Sequence, residues 1–472
     1  MGTLSFCPLA CVVLLAACGD ARRGPAPDAP RHVILVSIDT LRADRVGAYG
    51  YGRPTTPFLD SLARRGVLFE QHMANSNNTL SSHASMLTGL VPVAHGTRDG
   101  GSEATRFALA DGVETLAERL GSAGYTTASF TAHPAWLARG FGLDQGFDHL
   151  ESEWWGAPKL SQALLRWLDA DAPENLFLFL HFYDVHSDMA GAGVTLPYQA
   201  ELDFVERFAG PRPADFTGTV PGKDYQCCSR WLEAANRGEF QVSPEARDYV
   251  SGLYDAGLAQ LDRDLGRLFA ELHRRGYLEG ALIVVTSDHG EEFLEHGRFM
   301  HGGFHDEIAR VPLIVVPPLG TAVARRTVSA VTRSIDLAPT LADFAGSAGL
   351  GAGRSLREAI TTGAAIEDGE VMFLESVLRS RDEHGPFRLF DDASRAHLWD
   401  LAADPRESQD LLARDPDPTT AARAETARNH LALLRRLAGE HDARVRASSR
   451  TGAAALSAEE EARLRALGYG GR

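Results

Sequence analysis

Four stretches of this 472-residue chain, His32 to Ile38, Tyr125 to Thr131, Leu176 to Leu180 and Ala281 to Thr286, are apolar almost without interruption, and Val311 to Val316 reads as a fifth. A strand that is apolar on both faces must be covered on both faces, which is the condition of a buried, largely parallel sheet. Amphipathic helical patterns lie between these runs. Val113, Leu116 and Leu120 form one, closed by Gly121 and Gly124, and the longest carries Val250, Leu253, Tyr254, Leu258, Leu261, Leu265, Leu268 and Leu272 on a single face. Strands alternating with helices predict an α/β fold with a mixed, largely parallel sheet sandwiched by helices. Ligands of such folds gather at the carboxyl ends of the strands.

The chain divides into four parts. Residues 1–17 hold an apolar run too short to span a membrane but suited to a signal peptide. It ends Leu15-Ala16-Ala17-Cys18-Gly19, which resembles a bacterial lipobox and implies lipidation of Cys18; the alternative is an ordinary secretory signal cleaved near Ala17. Either address implies export, and the lipobox implies anchoring in a membrane that faces the periplasm or the cell surface. Residues 18–30 read as a linker rich in Ala, Arg, Gly and Pro. Residues 31–364 are expected to form the main domain, with an irregular insertion at about 187–243 of the long-loop kind that often selects a ligand. From 365 to 472 short segments such as Glu375-Ser376-Val377, Phe387 to Phe390 and His397 to Asp400 predict a small antiparallel sheet in a C-terminal α+β subdomain. A polar helical tail follows, with Ser457 and Glu460 at capping-box spacing.

Acidic residues outnumber basic ones by 63 to 47, a net charge of −16, which argues against nonspecific nucleic-acid binding. An anionic substrate must then be held by local cations or a metal. Of five cysteines, only Cys227 and Cys228 fall outside the signal region, and adjacent cysteines lack zinc-site spacing.

Chemistry concentrates at three places. Asp39 directly follows the first apolar run, where a carboxylate projects into the ligand crevice or caps a turn. Asp288-His289-Gly290 follows the run ending at Thr286 and offers an oxygen and an imidazole ligand beside a glycine that lets the backbone bend. Third is Asn78-Thr79-Leu80-Ser81-Ser82-His83-Ala84-Ser85-Met86-Leu87-Thr88-Gly89. Here hydroxyl residues open a helix, so that a nucleophile there meets the positive end of the helix dipole. By chemistry alone Thr79, Ser81 and Ser82 are equal candidates, and a plain N-cap is the ordinary alternative.

The order Ile38-Asp39-Thr40-Leu41-Arg42, then Thr79 to Gly89, then Asp288-His289-Gly290 resembles the sulfatase family of the alkaline phosphatase superfamily. The resemblance spans most of the chain. It includes Tyr51 to Pro57, Gly146-Phe147-Asp148, His181 to His186, Glu295-His296-Gly297, His301-Gly302, Arg310 to Ile314, Asp336 to Thr340, and a C-terminal Leu398-Trp399-Asp400-Leu401 through Glu407. It implies an alkaline-phosphatase-like fold and an ester hydrolase.

One departure matters. The sulfatase pattern Cys-x-Pro-x-Arg falls on Thr79, Ser81 and His83. Sulfatases oxidise the Cys, or a Ser, to formylglycine, and a secondary alcohol cannot give that aldehyde. Thr79 resembles instead the nucleophile of phosphodiesterases and phosphoglycerol or phosphoethanolamine transferases of the superfamily. The resemblance then implies one divalent metal on Asp39, Thr79, Asp288 and His289, with Thr79 attacking phosphorus to give a phosphothreonine. His83, His186 and His301, with Arg42, are the implied substrate-binding groups, and the three histidines the implied catalytic partners of Thr79; structural burial is their alternative. Thr40 stands where sulfatases have a second Asp. The donor set suits manganese or zinc better than calcium or magnesium, although all four remain open. Asp184, Asp188, His296 and His305 remain further candidate ligands.

The expected activity is hydrolysis or transfer of phosphate diesters or related phosphate and phosphonate esters. The alternatives are sulfate-ester hydrolysis without formylglycine, or an inactive metal-containing protein that binds an anionic glycan. The implied partner is an anionic phosphate or sulfate ester of a glycan, lipid or small molecule, with no nucleic acid and with membrane contact only through the N-terminal lipid.

Overall fold

The computed structural model describes residues 24–97, 108–134, 136–187, 198–216, 229–374, 376–391, 395–414 and 416–448. Residues 1–23 with Cys18, and Asp188, Cys227, Cys228, Ser457 and Glu460, lie outside the described residues. In chain order the strands are β1 (His32–Ile38), β2 (Val67–Met73), β3 (Thr126–Thr131), β4 (His149–Ser152), β5 (Leu176–Phe182), β6 (Ala281–Thr286), β7 (Glu292–Phe293), β8 (Phe299–Met300), β9 (Arg310–Val316) and β10 (Thr327–Arg333). The C-terminal part adds β11 (Val371–Phe373), β12 (Val377–Asp382), β13 (Gly385–Asp391) and β14 (Ala396–Asp400).

Eight strands make one mixed sheet in the order β10-β2-β9-β6-β1-β5-β3-β4. Pairing is parallel except where β9 runs against β2 and β6. The side-chain alternation of β1 shows why its whole length is apolar. Ile34, Val36 and Ile38 pack with Leu253, Leu261 and Leu265 of the long helix Pro244–Arg274. Val33 and Leu35 join Leu116, Leu120 and Leu341 on the opposite face. Helices therefore cover both sides of the sheet.

Strands β2, β4 and β10 lie outside the five apolar runs. The residues of β4 are half-buried, β10 alternates between buried and exposed, and β2 carries Glu70, Gln71 and His72. Strands at or beside an edge need no continuous apolar run. The insertion is also more regular than expected. Its described residues include the helices Leu202–Phe208 and Arg230–Asn236, which bury Val205, Phe208, Trp231 and Leu232 in the core shared with the long helix.

A four-stranded antiparallel sheet, β11-β12-β13-β14, follows. The helix Pro418–Ser448 covers it through Ala424, Ala427 and Leu431, which meet Leu378, Leu389 and Leu398. Among the described residues no helix is long and apolar enough to cross a membrane.

Candidate active site

Strand register assembles the site. β1 pairs with β5 and with β6 so that His32 lies opposite both Leu176 and Ala281, and the three central strands finish side by side. Asp39, His181, Asp288 and His289 all sit at those carboxyl ends and are fully buried. The backbone N–H of Asp39 donates to the Phe182 carbonyl at 2.9 Å, which fixes the turn out of β1.

The turn after β6 depends on Gly290. A Cβ there would lie 2.0 Å from the Glu307 carbonyl oxygen, and the Gly290 N–H donates to the Ile308 carbonyl. His289 donates from Nδ1 to the Gly290 carbonyl at 3.1 Å, which leaves the lone pair on Nε2. That atom is buried without a hydrogen-bond partner, as is Asp288 Oδ2, and the two lie 3.4 Å apart. Asp39 Oδ1 is 4.0 Å from the same imidazole nitrogen. Burial, the largest influence, pushes the His289 imidazole down to about 3. Burial also acts to raise the Asp288 carboxyl, but His289 and His83 offset it and hold the group below its ordinary range. A neutral imidazole and an ionised carboxylate converging on one point are the donors of a cation site. Ligand atoms of Asp39, Asp288 and His289 lie within 4.8 Å of one another.

Thr79 opens the helix Thr79–Thr88, whose N-cap Asn78 accepts from the Ser81 N–H. Its hydroxyl donates to Asp39 Oδ2 at 3.3 Å. The three hydroxyl candidates thereby separate. Ser82 is turned inward, donating to the Asp288 carbonyl at 2.6 Å, and Ser81 lines the same cavity as Thr79. That cavity, about 620 Å³, is bordered by Asn77, Asn78, Trp136, Arg298 and His301 besides Thr79.

Thr40 does not replace the Asp of the sulfatase pattern. Its backbone N–H donates to Asp288 Oδ1 while its hydroxyl turns away to the Val185 carbonyl.

Two expectations need correction. His83 is fully buried, donating from Nδ1 to the Thr79 carbonyl and accepting from the Ser37 hydroxyl at Nε2, so the fold gives it no face toward a substrate. Arg42 is also buried, because Asp44, Glu295 and the Glu291 carbonyl take up its guanidinium. Asp184 accepts the Ala157 N–H that starts the helix Ala157–Asp171 through Oδ1. The remaining histidines do face the site. His186 stacks on Tyr183 at 4.1 Å with Nε2 3.9 Å from Asp39 Oδ1, and His301 lies 5.0 Å from His186 and 4.5 Å from His289, ring to ring.

His181 was missed. Its Nε2 donates to Asp39 Oδ2 at 3.1 Å. The signal was a titratable residue inside the apolar run Leu176–Phe182, where a buried polar group needs a partner.

A family model described as Sulfatase matches residues 31–347. The chain belongs to the sulfatase family. This sulfatase-family chain is 24% identical over 437 residues to the Delta 4,5-hexuronate-2-O-sulfatase of Bacteroides thetaiotaomicron, covering 85% of this chain and 88% of that protein. With the arylsulfatase of Clostridium perfringens it shares 23% over 449 residues, 81% of this chain and 90% of the other. Among solved structures, the phosphonate monoester hydrolase from Silicibacter pomeroyi shares the fold with a TM-score of 0.64 at 21% identity, over 87% of this chain and 96% of that one. Members of the sulfatase family use a divalent metal, and the cluster of Asp39, Asp288 and His289 is where this chain can hold one.

Proposed function

We propose that this sulfatase-family hydrolase acts on phosphate or phosphonate esters through a Thr79 nucleophile. The observation that carries the reading is a threonine hydroxyl, 3.3 Å from Asp39, at the first position of the helix where sulfatases place a formylglycine precursor. A divalent cation held by Asp39, Asp288 and His289 beside that hydroxyl, with manganese or zinc favoured, supplies Lewis acidity that lowers the hydroxyl pKa and offsets charge on the transferring group.

The chain's own residues supply the rest. The Thr79 proton leaves along its hydrogen bond toward Asp39 as Oγ1 bonds to phosphorus and the ester P–O bond breaks. His301, at the cavity wall and held through Nδ1 by Glu291 at 3.4 Å, gives a proton to the departing alkoxide. Water then attacks the phosphothreonine and gives its proton to His301, while the Oγ1–P bond breaks and Thr79 takes back the proton held at Asp39. His181 and His83 orient the Asp39 carboxylate and the first turn of the nucleophile's helix. The phosphonate monoester hydrolases among the structural neighbours support this reading.

A second reading, sulfate-ester hydrolysis through Thr79, is favoured by curated relatives named as sulfatases. The proposal includes export and membrane tethering through Cys18.

Initial rates on matched aryl phosphonate, bis-aryl phosphate and aryl sulfate esters with added manganese or zinc test the proposal, alongside Thr79→Ala. Turnover of phosphorus esters that falls at least about a thousandfold in the variant is expected. An unchanged variant rate overturns the nucleophile, and turnover of the sulfate ester alone overturns the substrate class.

A further inference from the structure

A second group of metal-type side chains lies outside the site described above. His296 is in the loop between β7 and β8, His305 precedes the short helix Asp306–Ala309, and Glu407 follows β14 in the C-terminal subdomain. Each offers a ligand atom, and these atoms lie within 4.8 Å of one another. The two imidazoles stack with centroids 3.5 Å apart, and His305 donates from Nδ1 to Glu407 Oε2 at 3.3 Å. One further carboxylate adjoins them, since His296 Nε2 meets Glu307 Oε2 at 3.1 Å.

Glu292 is fully buried, and neither of its carboxylate oxygens has a hydrogen-bond partner. The group lies against Gly303, two residues before His305, where a Cβ would fall 2.7 Å from Oε2. A buried carboxylate with no donor is costly unless a cation lies near it.

We propose that His296, His305 and Glu407 form a second divalent-metal site of the zinc class, which ties the C-terminal subdomain to the β7–β8 segment carrying His301. Two imidazoles with carboxylate select zinc or a similar transition metal over calcium or magnesium. Such a tie joins residues far apart in sequence and stabilises the folded chain.

The test is zinc titration of the full chain after chelator treatment, with metal content measured by mass spectrometry. The wild type is expected to bind two ions per chain, and Asp288→Asn and His296→Ala one each. Zinc should raise the melting midpoint of Asp288→Asn, and no longer do so once His296→Ala is added. Glu292→Gln, which keeps the shape of the side chain, should weaken the second site about tenfold or more with the fold retained. The proposal fails if the wild type binds a single ion that Asp288→Asn removes, or if folded His296→Ala still binds two. Neither result depends on the rates that test Thr79.

Discussion

Replacing His181 by Leu isolates what a single hydrogen bond does for the metal cluster. His181 Nε2 donates to Asp39 Oδ2 at 3.1 Å, while Nδ1 has no partner, so the substitution strands no other group. The ring is fully buried, 5.0 Å from His83 by centroid, and a leucine fits the apolar surroundings of β5. A hydrogen bond to a charged acceptor contributes about 1.5–3 kcal/mol. Its loss leaves Asp39 free to rotate between Thr79 and the cation position. Outer partners of metal ligands typically carry 10–100-fold in affinity, equivalent to about 1.4–2.7 kcal/mol, so the two magnitudes agree. The assay is calorimetric titration of chelator-treated protein with manganese or zinc, with far-UV circular dichroism to confirm the fold. His181→Gln, which places an amide N–H near the lost Nε2–H, should recover most of the affinity. Unchanged metal affinity in a folded His181→Leu would refute the assignment of His181 as the residue that orients Asp39.

Asp184 is buried with Oδ2 unpartnered, and burial pushes its carboxyl up to about 7. With the folded pKa above the unfolded one, this group's stabilising contribution is complete below about pH 4 and is lost as pH rises to about 7. Relative to wild type, Asp184→Asn should therefore gain about 2 kcal/mol between about pH 5.5 and pH 7.5 in urea denaturation; a constant difference would refute it. Gly290→Ala should destabilise by about 1–3 kcal/mol and weaken metal binding, because its Cβ meets the Glu307 carbonyl at 2.0 Å; thermal melts check the first and metal titration the second. Cys18→Ala should move the protein from the membrane fraction to the soluble fraction on cell fractionation, and unchanged fractionation would refute lipid anchoring.

Both corrected binding residues failed for one physical reason. Arg42 and His83 carry chemistry suited to an anion, but a charged or polar side chain takes the partners nearest to it. Asp44 is two residues from Arg42, and the Thr79 carbonyl is one helical turn before His83. Glu295 reaches Arg42 only through the fold. His181 failed in the opposite direction, because a strand residue inside an apolar run gives no sign of which neighbouring strand end it will meet.

Sequence alone determined the α/β class, the central strands β1, β5 and β6, the long helix, and the presence of Asp39, Thr79, Asp288 and His289 at element ends. These follow from apolar periodicity and from residue chemistry, both local properties of the chain. Tertiary structure decided the rest: that β1 lies between β5 and β6 so that their ends coincide, and that Thr79 alone of three hydroxyls points at Asp39. It also brought Glu407 to His296 and His305. Distances between residues far apart in the chain are set by strand register and helix packing, which no single segment encodes.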